Sequence, residues 1–348
     1  MSVIRLLLIV LWPLPALAAE WSVPANWDVD TYELNFRSDD GLKLAGSLHV
    51  PSGTADGPAV VLVQQAGIQL RDVAIFDQLV ATFTAAGYSV FAYDLRGHGE
   101  SEGTGERPRF GAMAADAVAA KRAIAAHDAI DGSRVGYWGI SQSGWLAMKA
   151  ATLSDPAFVI SVSAPLTTPL EQMEFLAHNY VLARGFGEEA AEQALRTRRI
   201  VMDDLFRGKA TREEAIAALE VVQDEPWFEL AFMPRAEDIP EDLSASPWVH
   251  EMDFDPVVHF EGVDAPLLFV LGGEDVDIPV ARTLEIIDGL EQADNRHVVV
   301  IPGANHGMRI PSKPAEHPDE DDPQPGSNAA TYFFVMGEWL GRLDAQAR

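Results

Sequence analysis

Residues 139–144 read GISQSG, and Ser141 lies at the centre of this stretch. The apolar run before it, residues 134–138, is typical of a short strand, and residues 145–151 are typical of a helix. A serine flanked by small residues on a sharp strand-to-helix turn is a nucleophile elbow, because the tight turn excludes bulky neighbours. The motif alone is weakly specific. It predicts a catalytic serine only if an acid and a histidine follow in the right order.

Two later strands each end in a candidate partner for this serine. An unbroken apolar run at residues 266–271 is followed by GGEDVDIP, residues 272–279. A second run, residues 297–301, is followed by PGANHG, which contains His306. The chain order is therefore serine, acid, histidine. Each group follows the carboxyl end of a strand, where open α/β sheets place their functional sites.

Acyl-transfer chemistry needs these three residue types. A histidine takes the proton of the serine hydroxyl and later gives it to the leaving group, while a carboxylate fixes the imidazole tautomer. The sequence predicts His306 as the base. It predicts Asp275 as the acid, because Asp275 lies four residues before Pro279, the usual spacing of this loop. Asp277 is the main alternative and Glu274 a remote third.

Two further motifs extend the pattern to a family. Residues 93–101, YDLRGHGES, look like the D-x-R-G-x-G-x-S loop of α/β-hydrolase fold serine hydrolases. Residues 64–72, QQAGIQLRD, occupy the position of that family's oxyanion loop, which usually begins with His-Gly. The chain resembles this family over nearly everything after residue 30. The resemblance is to the capped branch, which holds bacterial esterases and serine aminopeptidase-like hydrolases.

The resemblance also implies an oxyanion hole. Its donors are the backbone N–H groups of Ala66 and Gln142, and such donors stabilise a tetrahedral oxyanion by roughly 3 to 4 kcal/mol each. Backbone donors survive a change of side chain, so Gln64 and Gln65 do not exclude catalysis. A glutamine at a glycine position does leave the loop conformation open. The two side chains either add a donor or only hold the loop by hydrogen bonds.

Alternating strands and helices predict an α/β fold with a doubly wound, mostly parallel sheet. The alternation stops between residues 165 and 263, where three helices are predicted over residues 169–184, 188–206 and 211–222. In the family this position carries an inserted helical cap. The predicted domains are a signal peptide at 1–19, the first part of the hydrolase core at 20–165, the helical cap at 166–264 and the second part of the core at 265–348.

Large apolar side chains are frequent in the predicted cap. Most are expected to form its own core, and a few are expected to line an apolar acyl pocket, without a pattern that separates the two sets. They are Phe175, Tyr180, Trp227, Phe228, Phe232, Met233, Trp248 and Phe254.

The first residues resemble a secretory signal. Arg5 precedes the apolar run of residues 6–12, and an A-x-A site ends at Ala18. The run is short for a transmembrane helix, although an uncleaved anchor is an alternative. We expect an exported protein, periplasmic or secreted, with no stable membrane insertion after cleavage. The chain has no cysteine, which excludes lipid attachment at a cysteine, disulfides and thiolate chemistry.

The charge restricts the partners. A formal net charge of −28 repels phosphate backbones, so no nucleic-acid partner is expected. The sequence has no phosphate-binding glycine loop and no metal-ligand spacing, so no cofactor and no metal are expected. An acidic, proline-rich stretch at residues 315–327 is predicted to be a surface loop. Nothing in the sequence fixes an oligomeric state.

These features together predict an exported serine hydrolase that cleaves carboxylic esters of small acyl substrates through an acyl-enzyme. An aminopeptidase-like hydrolase and a thioester hydrolase are alternatives on the same triad. A non-catalytic binding protein on the same scaffold is the alternative outside the enzymes, and the complete set of triad residues argues against it.

Overall fold

The computed structural model describes residues 28–291, 293–310 and 327–347. The predicted signal peptide at residues 1–19 lies outside the described residues. The predicted surface loop at 315–327 also lies outside them, apart from Ser327.

Eight strands form one sheet. Their bounds are β1 Val29–Arg37, β2 Lys43–Pro51, β3 Gly57–Leu62, β4 Ser89–Tyr93, β5 Ile130–Ile140, β6 Val159–Val162, β7 Leu267–Gly272 and β8 Arg296–Ile301. The spatial order is β1-β2-β4-β3-β5-β6-β7-β8. β2 pairs antiparallel with β1 and β4, and every pairing from β4 to β8 is parallel. The predicted doubly wound, mostly parallel sheet is confirmed.

The described residues form ten α-helices, which flank this sheet or lie in the segment between β6 and β7. They are α1 Ala74–Ala85, α2 Phe110–Ile124, α3 Gln142–Leu153, α4 Pro169–Ala183, α5 Gly187–Arg199, α6 Arg212–Val222, α7 Trp248–Glu251, α8 Pro256–Glu261, α9 Val280–Gly289 and α10 Ala330–Ala347. Two short strands, β9 Arg309–Ile310 and β10 Ser327–Asn328, pair antiparallel apart from the main sheet. Within the described residues, no helix is both long enough and apolar enough to cross a bilayer.

Both faces of the sheet are buried along its central strands. Along β3, Val60 and Leu62 belong to the apolar cluster that includes residues of α1 and α10, while Ala59 and Val61 belong to the cluster that includes α2 and α3. Successive strand residues point to opposite faces, so a sheet covered on both sides needs apolar side chains at every position. This explains why the central strands are visible in the sequence as unbroken apolar runs.

Residues 166–264, here called the helical segment, contain a third apolar cluster. Trp227, Phe228 and Met233 lie in it. α6 begins with a capping box formed by Thr211 and Glu214. The helix expected over 188–206 differs: α5 ends at Arg199, and a π-helical turn at Ile200–Asp204 follows, with Leu205 N–H bonded to Ile200 O at 3.0 Å.

Candidate active site

Ser141 lies on a strained turn between β5 and α3. Its backbone has φ 55° and ψ −124°, a conformation that L-residues rarely adopt. The flanking glycines permit the turn. A Cβ on Gly139 would lie 2.1 Å from Ser143 O, and a Cβ on Gly144 would lie 2.7 Å from the Ala164 Cβ. Close packing therefore requires the glycines at positions 139 and 144 of the GISQSG stretch.

The end of β6 holds the serine turn and the histidine loop together. The backbone N–H of Ser141 donates to Val162 O at 2.8 Å. The next residue, Ser163, donates its hydroxyl to the carbonyl of His306 at 2.8 Å. Ser163 is buried and has φ 46°, a second strained position. Sequence reasoning missed Ser163, although a polar residue at the carboxyl end of a buried strand was the available signal.

The imidazole of His306 is paired with Asp275. His306 Nδ1 and Asp275 Oδ2 are 2.9 Å apart, and the Asp275 side chain is fully buried. Because a carboxylate only accepts, Nδ1 carries the proton and the lone pair of Nε2 is left free. Asp277 Oδ2 is farther from Nδ1, at 4.0 Å. Glu274 is exposed. Of the three candidate acids, the structure thus brings Asp275 to the histidine.

Backbone contacts fix this pair. Asp275 Oδ1 accepts hydrogen bonds from the N–H groups of Asp277 at 2.9 Å and Ile278 at 3.3 Å. Gly272, the last residue of β7, lies against the histidine loop, where a Cβ would be 2.5 Å from Ala304 O. Only glycine permits this approach, which brings the two loops close enough for the carboxylate to reach the ring.

The surroundings of His306 favour its charged form. Burial lowers the pKa of the imidazole, but the hydrogen bond to Asp275 and the charges of Asp275 and Asp277 outweigh burial and raise that pKa above its ordinary value. Burial also raises the pKa of the Asp277 carboxyl.

Helix α4 is hydrogen-bonded to the loop at residues 273–279, here called the acid loop. The Tyr180 hydroxyl donates to Asp277 Oδ1 at 2.9 Å, and the Gln172 amide donates to Asp277 O at 2.9 Å. The Asn179 amide donates to Val276 O at 3.0 Å. The sequence analysis named Tyr180 only among the large side chains of the cap and did not find Gln172 or Asn179, since all three occupy ordinary positions on an amphipathic helix.

The oxyanion loop, residues 64–72, makes a turn in which Ile68 N–H bonds to Gln65 O at 3.2 Å. The Ala66 N–H donates to the side-chain Oε1 of Gln142 at 2.9 Å, so the structure brings the two predicted donor residues together. Gln64 is buried, and its amide donates to the carbonyl of Tyr93. The Gln64 side chain was expected either to add an oxyanion donor or to hold the loop by hydrogen bonds. Its contact with Tyr93 favours the second role.

Arg71 ties the oxyanion loop to the 93–101 loop. Its backbone N–H and guanidinium bond the two oxygens of Asp94 at 3.0 and 2.9 Å. Glu33 and Glu100 also contact the guanidinium, at 3.1 and 2.5 Å. This network gives a structural reason for the two motifs that carry the family resemblance.

Three donor groups at this site are close enough for an ion. In the described part of the chain, one ligand atom each from Asp275, Asp277 and His306 lies within 4.8 Å of the others. The Nδ1 atom already binds Asp275, so a metal there would have to displace that hydrogen bond. The arrangement fits an acid–histidine pair better than an ion site.

The alpha/beta hydrolase family model matches residues 71–320. The thiohydrolase aneE of Aspergillus aculeatus is 31% identical over 169 residues, which are 47% of this chain and 50% of that protein. The polyketide transferase claH of Penicillium crustosum is 32% identical over 136 residues, 37% of this chain and 43% of that protein. The chain thus spans about half the length of the curated relatives it matches.

Solved structures share the fold at low identity. An esterase of Pyrococcus furiosus superposes with a TM-score of 0.55 and 15% identity, covering 93% of this chain and 97% of that one. Est1E of Butyrivibrio proteoclasticus, solved with ferulic acid bound, gives a TM-score of 0.55 and 16% identity, covering 90% and 99%. The matched region includes the elbow, the acid loop and the histidine, and on this match the chain belongs to the alpha/beta hydrolase family.

Proposed function

We propose that this hydrolase cleaves carboxylic esters through an acyl-enzyme on Ser141. The observation that supports the proposal most is the 2.9 Å hydrogen bond between buried Asp275 and His306, on loops anchored beside the strained serine turn. A binding protein would have no need of an imidazole oriented by a buried carboxylate, on a loop that is anchored to the same strand end as a strained serine. Strain of this kind persists where function requires it.

In the proposed reaction the Ser141 hydroxyl attacks the acyl carbonyl while His306 Nε2 takes its proton. The Ala66 and Gln142 N–H groups stabilise the oxyanion of the tetrahedral intermediate. His306 then gives the proton to the departing alkoxide, which leaves an ester on Ser141. Water then attacks this ester while His306 Nε2 takes its proton, and His306 returns the proton to the Ser141 oxygen as the carboxylic acid leaves. Asp275 stays hydrogen-bonded to Nδ1 in both steps.

Phe232 provides an apolar surface for the acyl group. It has φ 51° and ψ 46°, left-handed values that are unfavourable for a bulky residue. The buried guanidinium of Arg198 donates to its carbonyl at 2.9 Å and holds this conformation. Phe232 remains 41% exposed, and its ring packs on that of Tyr180 with the centroids 5.6 Å apart. Tyr180 in turn contacts the acid loop, where the Val276 residue is 54% exposed.

The ester preference is expected to follow acyl length. Across p-nitrophenyl esters, kcat/KM should rise by up to about fourfold per methylene, since each buried methylene contributes about 0.8 kcal/mol, until the pocket is full.

Phe232→Ala should flatten the rise for the longer esters and leave the acetyl ester nearly unchanged. Phe334→Ala, at an exposed phenylalanine of α10, is the matched control and should keep the wild-type slope. A flat, slow ester series beside fast cleavage of aminoacyl p-nitroanilides would favour the aminopeptidase alternative.

Thioester hydrolysis is the second candidate. It is favoured by the similarity to a protein named a thiohydrolase, which covers about half of each chain. The acyl-enzyme chemistry is the same, with a thiolate as the leaving group. Matched oxygen esters and thioesters of one acyl group distinguish the two, and faster acylation by the thioester at equal acyl length would favour the second candidate.

We also propose that the enzyme is exported. The support is the signal-like sequence at residues 1–19. N-terminal sequencing of protein from its native compartment should give a chain beginning at Ala19 or Glu20. A chain that starts at Met1 or Ser2 and sediments with membranes would show an anchor instead.

A further inference from the structure

The side chain of Gln142 occupies a donor that the proposed reaction needs. Its Oε1 accepts the Ala66 N–H at 2.9 Å, and this N–H is one of the two assigned to the oxyanion. A single N–H does not make two hydrogen bonds of full strength, because the interaction weakens steeply away from linear geometry. The Gln142 amide and a substrate oxygen therefore compete for the same donor.

We propose that the Gln142 amide fills the oxyanion hole of the free enzyme and swings out when an acyl substrate binds. The inference rests on the function proposed above. Gln142 is the first residue of α3, so its own backbone N–H has no acceptor within the helix. Gln142 thus supplies one oxyanion donor with its backbone and covers the other, the Ala66 N–H, with its side chain. Its side chain is partly exposed, which leaves room for the amide to rotate away.

Replacing the Gln142 oxygen by a substrate oxygen at the Ala66 N–H stabilises the transition state more than the bound substrate. The amide oxygen of Gln142 and the carbonyl oxygen of an ester are both neutral acceptors, so replacing one by the other gains little. An oxyanion is a charged acceptor, and its hydrogen bonds are about twice as strong. The covered donor therefore contributes little to ground-state binding and contributes more as charge develops, less the cost of releasing the Gln142 oxygen.

Opposite effects of two near-isosteric variants test this gate. Gln142→Met removes the acceptor and keeps the backbone N–H. We expect kcat/KM for p-nitrophenyl butyrate to rise by roughly two- to tenfold, the factor for one neutral hydrogen bond. The inhibition constant of phenylboronic acid, whose adduct places an oxygen in the hole, should fall by a similar factor. Gln142→Glu should lower kcat/KM, because its carboxylate binds the Ala66 N–H more strongly and repels the oxyanion.

Gln69→Met is the matched control on the same turn. Its amide donates to Ala66 O at 3.1 Å, so the variant loosens the loop without uncovering the N–H, and no gain in kcat/KM is expected. A loss of activity in Gln142→Met, or an equal gain in Gln69→Met, would overturn the gate. A wild-type protein that does not react with a fluorophosphonate at Ser141 would contradict the proposed function itself. A reactive wild type with an unchanged Gln142→Met variant would contradict the gate alone.

Discussion

Ser141→Ala is expected to lower turnover by about 10⁴- to 10⁶-fold while the fold remains intact. In the proposed reaction this hydroxyl forms the covalent intermediate, and the methyl group of alanine cannot act as a nucleophile. His306→Ala should cost a similar factor, and the double variant little more, because the residues act as a unit. Turnover of p-nitrophenyl butyrate and labelling by a fluorophosphonate measure the loss. Full activity in Ser141→Ala would remove the serine from the mechanism.

Ser141→Gly separates catalysis from strain. Glycine adopts the φ of 55° at this position without the steric penalty that serine and alanine share. The glycine variant should be as inactive as the alanine variant but more stable than it, by about 1 kcal/mol. Thermal or urea unfolding of the two variants checks this difference. Equal stabilities would mean that the turn relaxes and does not store strain.

Asp275→Asn has the second largest expected effect, a loss of about 10⁴-fold in kcat. The new amide N–H₂ group faces Nδ1, which must then accept, and the ring proton moves to Nε2, where the base is needed. Asp277→Asn should cost far less, since its carboxylate lies 4.0 Å from Nδ1. The reverse ranking would transfer the acid role to Asp277, and equal small losses would place the acid elsewhere.

The same pair of variants predicts a difference in pH profile. In the proposed mechanism His306 acts as a base only when it is neutral, so kcat/KM should rise with pH through the pKa of His306. That pKa is raised by the two nearby aspartates, despite burial, so the acidic limb should lie above the ordinary histidine value of about 6.5. Asp277→Asn removes one of these charges, and the limb should move to lower pH. A limb that stays in place or moves to higher pH would contradict the assigned electrostatics.

The strand and turn residues of the site were predictable because their causes are local. The central strands are unbroken apolar runs, since both sheet faces are buried, and parallel strands bring the ends of β5, β7 and β8 to one edge. The turn at Ser141, His306 and the acid stretch were therefore predicted from order and spacing, with Asp277 and Glu274 left open beside Asp275. Gly272 lies in the predicted acid stretch, but its contact with the histidine loop is visible only in three dimensions.

The remaining features depend on contacts between residues distant in sequence. Ser163 meets the His306 carbonyl across 143 positions, and Tyr180 meets Asp277 across 97. Neither pairing has a local pattern. The contact of the Gln142 side chain could not be predicted from the sequence either, because the Ala66 N–H that it binds lies on another loop. The π-helical turn at Ile200–Asp204 lies where the sequence continues an ordinary amphipathic pattern.

The hydrogen bonds from α4 to the acid loop have a consequence for protein engineering. The helical segment has an apolar cluster of its own and looks exchangeable between scaffolds. Yet Gln172, Asn179 and Tyr180 bind the loop that carries Asp275 and Asp277. A transplanted segment that lacked these three side chains would leave the acid loop without its support from α4. A chimera that exchanges the helical segment should therefore retain Gln172, Asn179 and Tyr180, so that the acid loop keeps its hydrogen bonds to α4.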